Sequence, residues 1–219
     1  MSKISEALSS VTYDYLNKEL QKEINSDDAL AALKSGNARF VEGKPVERNY
    51  NIQIQGTSTG QYPHSVVLSC IDSRVPTEIV FDQGIGDIFN ARVAGNISNV
   101  DVIGSIEYAC KVAGSKLIVV LGHTSCGAVK GAIADVKLGN VTELIAKIKP
   151  AIRSVKDGYQ GITDDSNSDF VGKVVKENVH KTIANILRES HVLTDMLEAG
   201  EIDIVGAIYD VASGKVDFL

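Results

Sequence analysis

The chain has 219 residues, 44% of them hydrophobic and 23% charged, with 19 Gly and only 4 Pro. That balance belongs to a globular protein of one large or two small domains, and it excludes a predominantly disordered chain. The 22 basic and 28 acidic residues sum to −6 without a long run of either sign, so no nucleic acid or anionic membrane surface is expected as a partner.

No stretch of ~18 apolar residues is present, so no membrane span is expected. Residues 1–25 mix Lys, Glu and Asp with apolar residues and lack the unbroken apolar stretch of a secretory signal, which points to the cytoplasm. In that compartment three cysteines read as free thiols or metal ligands rather than as a disulfide framework.

In chain order, Tyr13, Leu16, Leu20 and Ile24 recur at spacings of three and four, which predicts an amphipathic helix. Its apolar stripe precedes the rest of the fold and is expected to be covered by a neighbouring subunit. Ser26 and Asp27 offer caps for a second helix carrying Ala29, Leu30 and Leu33. Residues 43–64 are polar and rich in Gly, Pro, Asn and Thr, and read as a long loop wrapping a surface or a partner.

The pattern then changes. Residues 65–70 (SVVLSC) form a short apolar, β-branched run, predicted as a strand, and Pro76 opens a short helix. Residues 87–92 are a second strand, and Ser98 with Asp101 suggests a capping box for a helix carrying Val102, Ile106, Ala109, Cys110 and Ala113. Gly114 ends that helix before a third strand at 116–121 (KLIVVL). Helical patterns occupy about 126–136, 141–156 and 168–189, broken by a loop at 157–167. A fourth strand at 202–211 turns through Ser213-Gly214-Lys215 into a possible fifth. Strands alternating with helices imply an α/β fold with a mostly parallel sheet, and near-continuous apolar strands fit a sheet buried on both faces. The division expected is an N-terminal helical arm over 1–42 and an α/β domain over 43–219, forming one structural unit.

Two motifs carry chemistry. Cys70-Ile71-Asp72-Ser73-Arg74 leaves the end of the first strand, and His123-Thr124-Ser125-Cys126-Gly127 leaves the end of the third. In an open parallel sheet the ligand crevice lies beyond the carboxyl ends of strands where strand order reverses. If the first strand lies between the second and third, the two motifs meet there. Two thiolates and an imidazole suit zinc, and three protein ligands leave a fourth position for water or substrate. Asp72 and Arg74, two residues apart, are placed to pair beside the metal, where the carboxylate accepts a hydrogen bond from a zinc-bound water. Taken singly, Cys70 and Cys126 also read as buried structural thiols, and His123 as a core or capping histidine. Cys110 reads as core on the apolar stripe of its helix, and His64, His180 and His191 as surface or interface residues.

The pairing of Cys-x-Asp-Ser-Arg with His-x-x-Cys resembles the β-class carbonic anhydrases. Residues 29–43 (ALAALKSGNARFVEG), 86–96, 104–109 (GSIEYA) and 204–219 also look like segments of that family, so nearly the whole chain is covered. The resemblance implies a lyase hydrating carbon dioxide reversibly to bicarbonate and a proton. It implies one Zn2+ per chain on Cys70, His123 and Cys126, with Asp72 and Arg74 as catalytic dyad and Asp72 a metal ligand only in a closed state. It implies Gln83 and Gly127 as substrate-binding positions, Gln83 acting across the interface of a homodimer or a dimer of dimers. Val67 stands where the allosteric subgroup carries Trp, and the chain has no Trp, which favours the plant-like, non-allosteric subgroup. Two other functions share the pattern: hydrolysis of carbon disulfide or carbonyl sulfide on the same site, and a non-catalytic, zinc-stabilised scaffold.

Overall fold

A computed structural model describes residues 3–219. Five strands form one sheet in the order β2-β1-β3-β4-β5. They are β1 (Ser65–Ser69), β2 (Ile88–Arg92), β3 (Leu117–His123), β4 (Asp203–Tyr209) and β5 (Val216–Phe218). The first four run parallel, and β5 returns antiparallel to β4. Because β1 lies between β2 and β3, strand order reverses between β1 and β3, as the sequence pattern anticipates.

Period-two alternation sends each strand's residues to opposite layers. Val67, Leu117, Val119 and Leu121 face a layer that includes Leu16, Ile24, Leu33 and Phe81. Val66, Leu68, Ile118 and Val120 face another, with Ile106, Cys110, Val179 and Leu193. Both faces are covered, so β1 and β3 are buried along their whole length.

The helices begin with α1 (Lys3–Ser10), α2 (Lys18–Glu23), α3 (Ser26–Val41) and α4 (Tyr50–Thr57). Here the structure departs from the sequence pattern. The helix expected across residues 13–24 is broken: Val11 has φ +53°, and Asn17 starts α2 by accepting from the Leu20 N–H at 2.9 Å. Leu16 and Ile24 are nonetheless buried, in this chain's own core beside β1 and β3. The stripe is therefore covered from within, and no neighbouring subunit is needed for it. The cap of α3 is Asn25, in a reciprocal box with Asp28, one residue before the pair the sequence suggests. The polar stretch 43–64 contains α4, capped by Asn49.

Beyond β1 come α5 (Thr77–Val80), α6 (Val100–Glu107), α7 (Gly127–Ile133), α8 (Gly139–Ala146), α9 (Lys149–Lys156), α10 (Ser168–Glu189) and α11 (His191–Glu198). Asn99, not Ser98, caps α6. A π turn at Tyr108–Val112 extends α6, and Gly114 then ends the run at φ +85°. The helical stretch expected over 141–156 is two helices, with Pro150 in the first turn of α9. The sequence pattern did not single out α11, which Ser190 caps. Among the described residues no helix is long and apolar enough to cross a membrane.

Since Leu16 is 1% exposed in the layer beneath the sheet, Leu16→Ala is expected to lower the unfolding free energy by about 2–5 kcal/mol. Urea unfolding measures the loss. A cost under about 1 kcal/mol would mean that the N-terminal segment is not part of the core.

Candidate metal centre

Strands β1 and β3 are adjacent, with Ser69 opposite Leu121. Cys70 leaves the end of β1 as His123 completes β3. Ser125 then takes φ +56°, a left-handed turn that brings Cys126 back to the start of α7. The two sulfurs and an imidazole nitrogen lie within 4.8 Å of one another, and all three residues are buried.

Each donor is held by a specific partner. His123 Nδ1 lies 2.9 Å from the Thr124 carbonyl oxygen, so Nδ1 carries the proton and donates it there. Nε2 is left with a lone pair, buried and without a hydrogen-bond partner. A buried polar atom without a partner is costly, and a cation could satisfy this one. The Cys70 sulfur accepts the Gly95 N–H at 3.3 Å. Donation from the Cys126 thiol and from the Gly95 N–H lowers the Cys70 thiol well below its ordinary range. The Cys126 thiol is correspondingly pushed up, because the two sulfurs share one proton and Cys126 keeps it. A metal bound there would take the place of that proton. Two sulfurs and one nitrogen with an orphaned lone pair fit zinc.

Asp72 and Arg74 pair as anticipated. Arg74 Nε donates to Oδ1 at 2.9 Å and Nη2 to Oδ2 at 2.8 Å, while the Arg74 backbone N–H adds a bond to Oδ1 at 3.0 Å. These bonds hold the Asp72 carboxyl well below the usual carboxylate range. Its Oδ2 stands 3.9 Å from His123 Nε2, beside the donor cluster. Arg92 completes the loop's support, donating to the carbonyl oxygens of Cys70 (3.0 Å) and Asp72 (2.6 Å). The sequence places Arg92 only within a longer family-like stretch, because a side chain that binds backbone carbonyls leaves no spacing signal. Gly127 opens α7 with free space where a Cβ would stand. Cys110 packs in the core, its thiol pushed up to about 12 by burial.

Gln83 lies elsewhere. It precedes β2, whose first residue pairs with Ser65 at the start of β1, whereas Cys70 follows the end of β1. Five strand residues at ~3.3 Å each separate the two ends by about 17 Å. The Gln83 amide is bound within its own chain: Oε1 lies 2.9 Å from His64 Nε2, and Nε2 donates to the Phe81 and Asp82 carbonyl oxygens at 2.7 and 3.2 Å. His64 is thus not a surface residue; it is fully buried, with its Nδ1 2.7 Å from Ser65 Oγ. His180 and His191 are exposed.

The sequence profile described as carbonic anhydrase matches residues 65–216. Carbonic anhydrase 2 of Mycobacterium tuberculosis is 37% identical, covering 85% of this chain and 89% of its own length. The carbonic anhydrase of Mycolicibacterium smegmatis is 39% identical, covering 86% and 91%. Among solved structures, the β-carbonic anhydrase CcaA is 28% identical with a TM-score of 0.67, covering 76% of this chain and 87% of its own. A structure from work on two tetrameric β-carbonic anhydrases of Sordaria macrospora is 25% identical with a TM-score of 0.69, covering 76% and 85%.

Two outcomes are expected. Cys70→Ser, His123→Ala and Cys126→Ser are each expected to lose bound metal, while Cys110→Ser keeps it; elemental analysis of purified protein decides, and stoichiometric metal in Cys126→Ser would count against the ligand set. The second concerns His64, whose burial lowers its pKa below the ordinary 6.5. Below that value the unfolded chain binds a proton that the folded chain refuses, so His64's contribution to stability is present above pH ~6.5 and lost as pH falls, by at most about 1.4 kcal/mol per pH unit. Buried Asp87, whose pKa is raised by desolvation, works in the opposite sense. The comparison is therefore wild type against His64→Asn, and the variant is expected to show the flatter loss of unfolding free energy between pH 7 and 5.

Proposed function

The chain belongs to the β-carbonic anhydrase family, and from that premise we propose how its residues carry out reversible hydration of carbon dioxide to bicarbonate and a proton. The observation that carries the reading is the buried, unpartnered His123 Nε2 facing two cysteine sulfurs, with the Asp72–Arg74 pair beside them. Cys70, His123 and Cys126 would hold one zinc per chain. Zinc bound there supplies a Lewis acid and lowers the pKa of a coordinated water to about 7.

The remaining work falls to the chain. Arg74 grips both carboxylate oxygens of Asp72, which keeps Asp72 from becoming a fourth ligand and leaves it as an oriented acceptor for a water proton. Such an acceptor fixes which lone pair of the attacking oxygen faces the substrate carbon. Arg92, tied to the carbonyl oxygens on either side of Ile71, keeps that carboxylate in register with the metal ligands. Gly127 leaves room for a small flat substrate and offers its backbone N–H to a substrate oxygen. Released from Arg74, Asp72 would be free to serve as a fourth metal ligand and so close the site. Val67 in place of Trp is in keeping with an enzyme without the allosteric pocket.

Gln83 acts on a partner subunit's substrate, since in its own chain it lies at the far end of β1. Of its two amide protons, the one directed to the Asp82 oxygen makes the longer bond, 3.2 Å, and that oxygen also accepts from Arg48 Nη2. It is the bond for which a substrate oxygen would compete most easily. The assembly is then a homodimer or a dimer of dimers that sets the Gln83 end of one subunit against the metal end of another. Cytoplasmic residence belongs to the same reading: Cys70 and Cys126 are free thiols, and oxidation would destroy the ligand set.

Stopped-flow hydration of carbon dioxide with parallel zinc analysis tests this. Arg74→Ala is expected to lose at least about 10- to 100-fold in turnover with zinc content unchanged, because Asp72 is freed to occupy the metal. Asp72→Asn keeps fold and zinc and loses turnover. An Arg74→Ala enzyme with wild-type turnover would sink the assigned role of the pair.

A further inference from the structure

The chain just after β2 makes a left-handed turn that its contacts hold in place. Gly95 has φ +70° and Asn96 φ +43°, two successive residues in the left-handed region. Glycine enters it freely, but Asn does so only at some cost. Gly95 is also wedged, since a Cβ on it would meet Ile148 Cδ1 at 2.7 Å. Strained backbone of this kind persists only where surrounding contacts over-determine it.

The contact that does so comes from α10. That helix turns Val171, Val174, Val175 and Val179 inward, and among these apolar residues stands one amide, Asn178, 2% exposed. Asn is a weak helix former and is expensive to bury unless its polar atoms are paired. Its Nδ2 donates to the Gly95 carbonyl oxygen at 2.8 Å. The N–H of the same Gly95 donates to Cys70 Sγ at 3.3 Å. A side chain from the long helix thus reaches the sulfur through a single residue.

We propose that Asn178 is a positioning residue of the metal centre, pinning the left-handed Gly95 turn so that the Gly95 N–H stays aimed at the Cys70 sulfur. This rests on the reading of Cys70 as a zinc ligand. The N–H···S bond draws electron density from the thiolate and fixes the direction of its remaining lone pairs. Without it the sulfur loses the contact that fixes its direction and is free to rotate away from the other two donors. Partners of metal ligands typically change affinity or activity by 10- to 100-fold when removed.

The test compares full-length wild type with Asn178→Leu, similar in size but without a donor, and Asn178→His, whose Nδ1 stands as many bonds from the backbone as the Asn amide nitrogen. Zinc affinity is read by competition with a chromophoric chelator, and donor strength by the thiolate-to-cobalt charge-transfer band of the Co2+-substituted protein. Asn178→Leu is expected to bind zinc roughly 10-fold or more weakly and to shift the cobalt band to lower energy; Asn178→His is expected to return both toward wild type. Should Asn178→Leu fail to fold, Asn178→Ser, which leaves space and a shorter donor, is expected to move both readouts in the same direction. Wild-type affinity and an unmoved band in the folded variant, with only thermal stability reduced, would overturn the proposal. Wild-type protein that takes up no zinc would instead overturn the ligand assignment beneath it.

Discussion

Burial of β1 and β3 on both faces is the constraint from which the metal centre follows. Neither strand has a solvated side, so each presents an unbroken apolar run and the two pair along five register positions. Side-chain chemistry is then confined to the residues just past the strands' carboxyl ends. There the chain accepts an arrangement that is unfavourable without a metal: two sulfurs sharing one proton and an imidazole nitrogen with nothing to bind. Leaving such a polar atom unmatched costs about 1–3 kcal/mol. The hydrogen bond from His123 Nδ1 to the Thr124 carbonyl makes this unavoidable, since it fixes the tautomer with the lone pair directed inward. The sheet's packing thus pre-forms a donor cluster in which a bound cation would relieve that mismatch.

How much of this was legible in the sequence depended on whether the signal was local. The strands were legible because fully buried parallel strands read as short apolar runs. The meeting of Cys70, His123 and Cys126, with Asp72 and Arg74 beside them, was legible because the two motifs follow the ends of strands that the sequence pattern sets side by side. Residues 13–24 misled, because spacings of three and four record which residues meet the core and not the backbone path between them. Tyr13 and Leu16 reach the core from an irregular stretch that Asn17 then ends by capping α2. Cap positions slipped by one at Asn25 and Asn99, where neighbouring Ser, Asp and Asn residues all offer a capping oxygen. Arg92 and Asn178 were illegible for a different reason. Both act on backbone atoms far along the chain, and no sequence spacing connects Asn178 to Gly95.

The two ends of the sheet carry different kinds of polar machinery. At the carboxyl end stand two cysteine sulfurs that share one proton, the Asp72–Arg74 pair and Arg92. At the amino end a buried ionic cluster, Asp82 between Arg39 and Arg48, stands beside tightly bonded groups, with His64 held between Ser65 and Gln83, and Asp87 taking bonds from the Tyr13 hydroxyl and the Gly84 N–H. The backbone fixes the Gln83 amide's orientation: two carbonyl oxygens face its nitrogen, so a flip would set oxygen against oxygen. His64 must then present an N–H to Oε1, which makes it the Nε2-protonated tautomer accepting from the Ser65 hydroxyl at Nδ1. A neutral imidazole suits a fully buried site, where desolvation disfavours its charged form.

That orientation bears on the proposed assembly of more than one chain. A single subunit places its metal donors and its Gln83 amide about one strand length, roughly 17 Å, apart, and a rigid five-strand sheet cannot fold one end onto the other. The cleft beside Gln83 is lined by Phe40, Tyr50, Ile79, Ile85 and Ile88, and Tyr50, Ile79 and Ile85 are exposed in the isolated chain. Apolar side chains around a buried, oriented amide make a surface that gains by exclusion of water. Closing the metal end of a second subunit against it would bring a neutral donor to a small, uncharged substrate while keeping bulk water from the Asp72 carboxylate. The division suits the reaction, since carbon dioxide is recognised weakly by any single contact and is best held between surfaces that are each rigid before they meet.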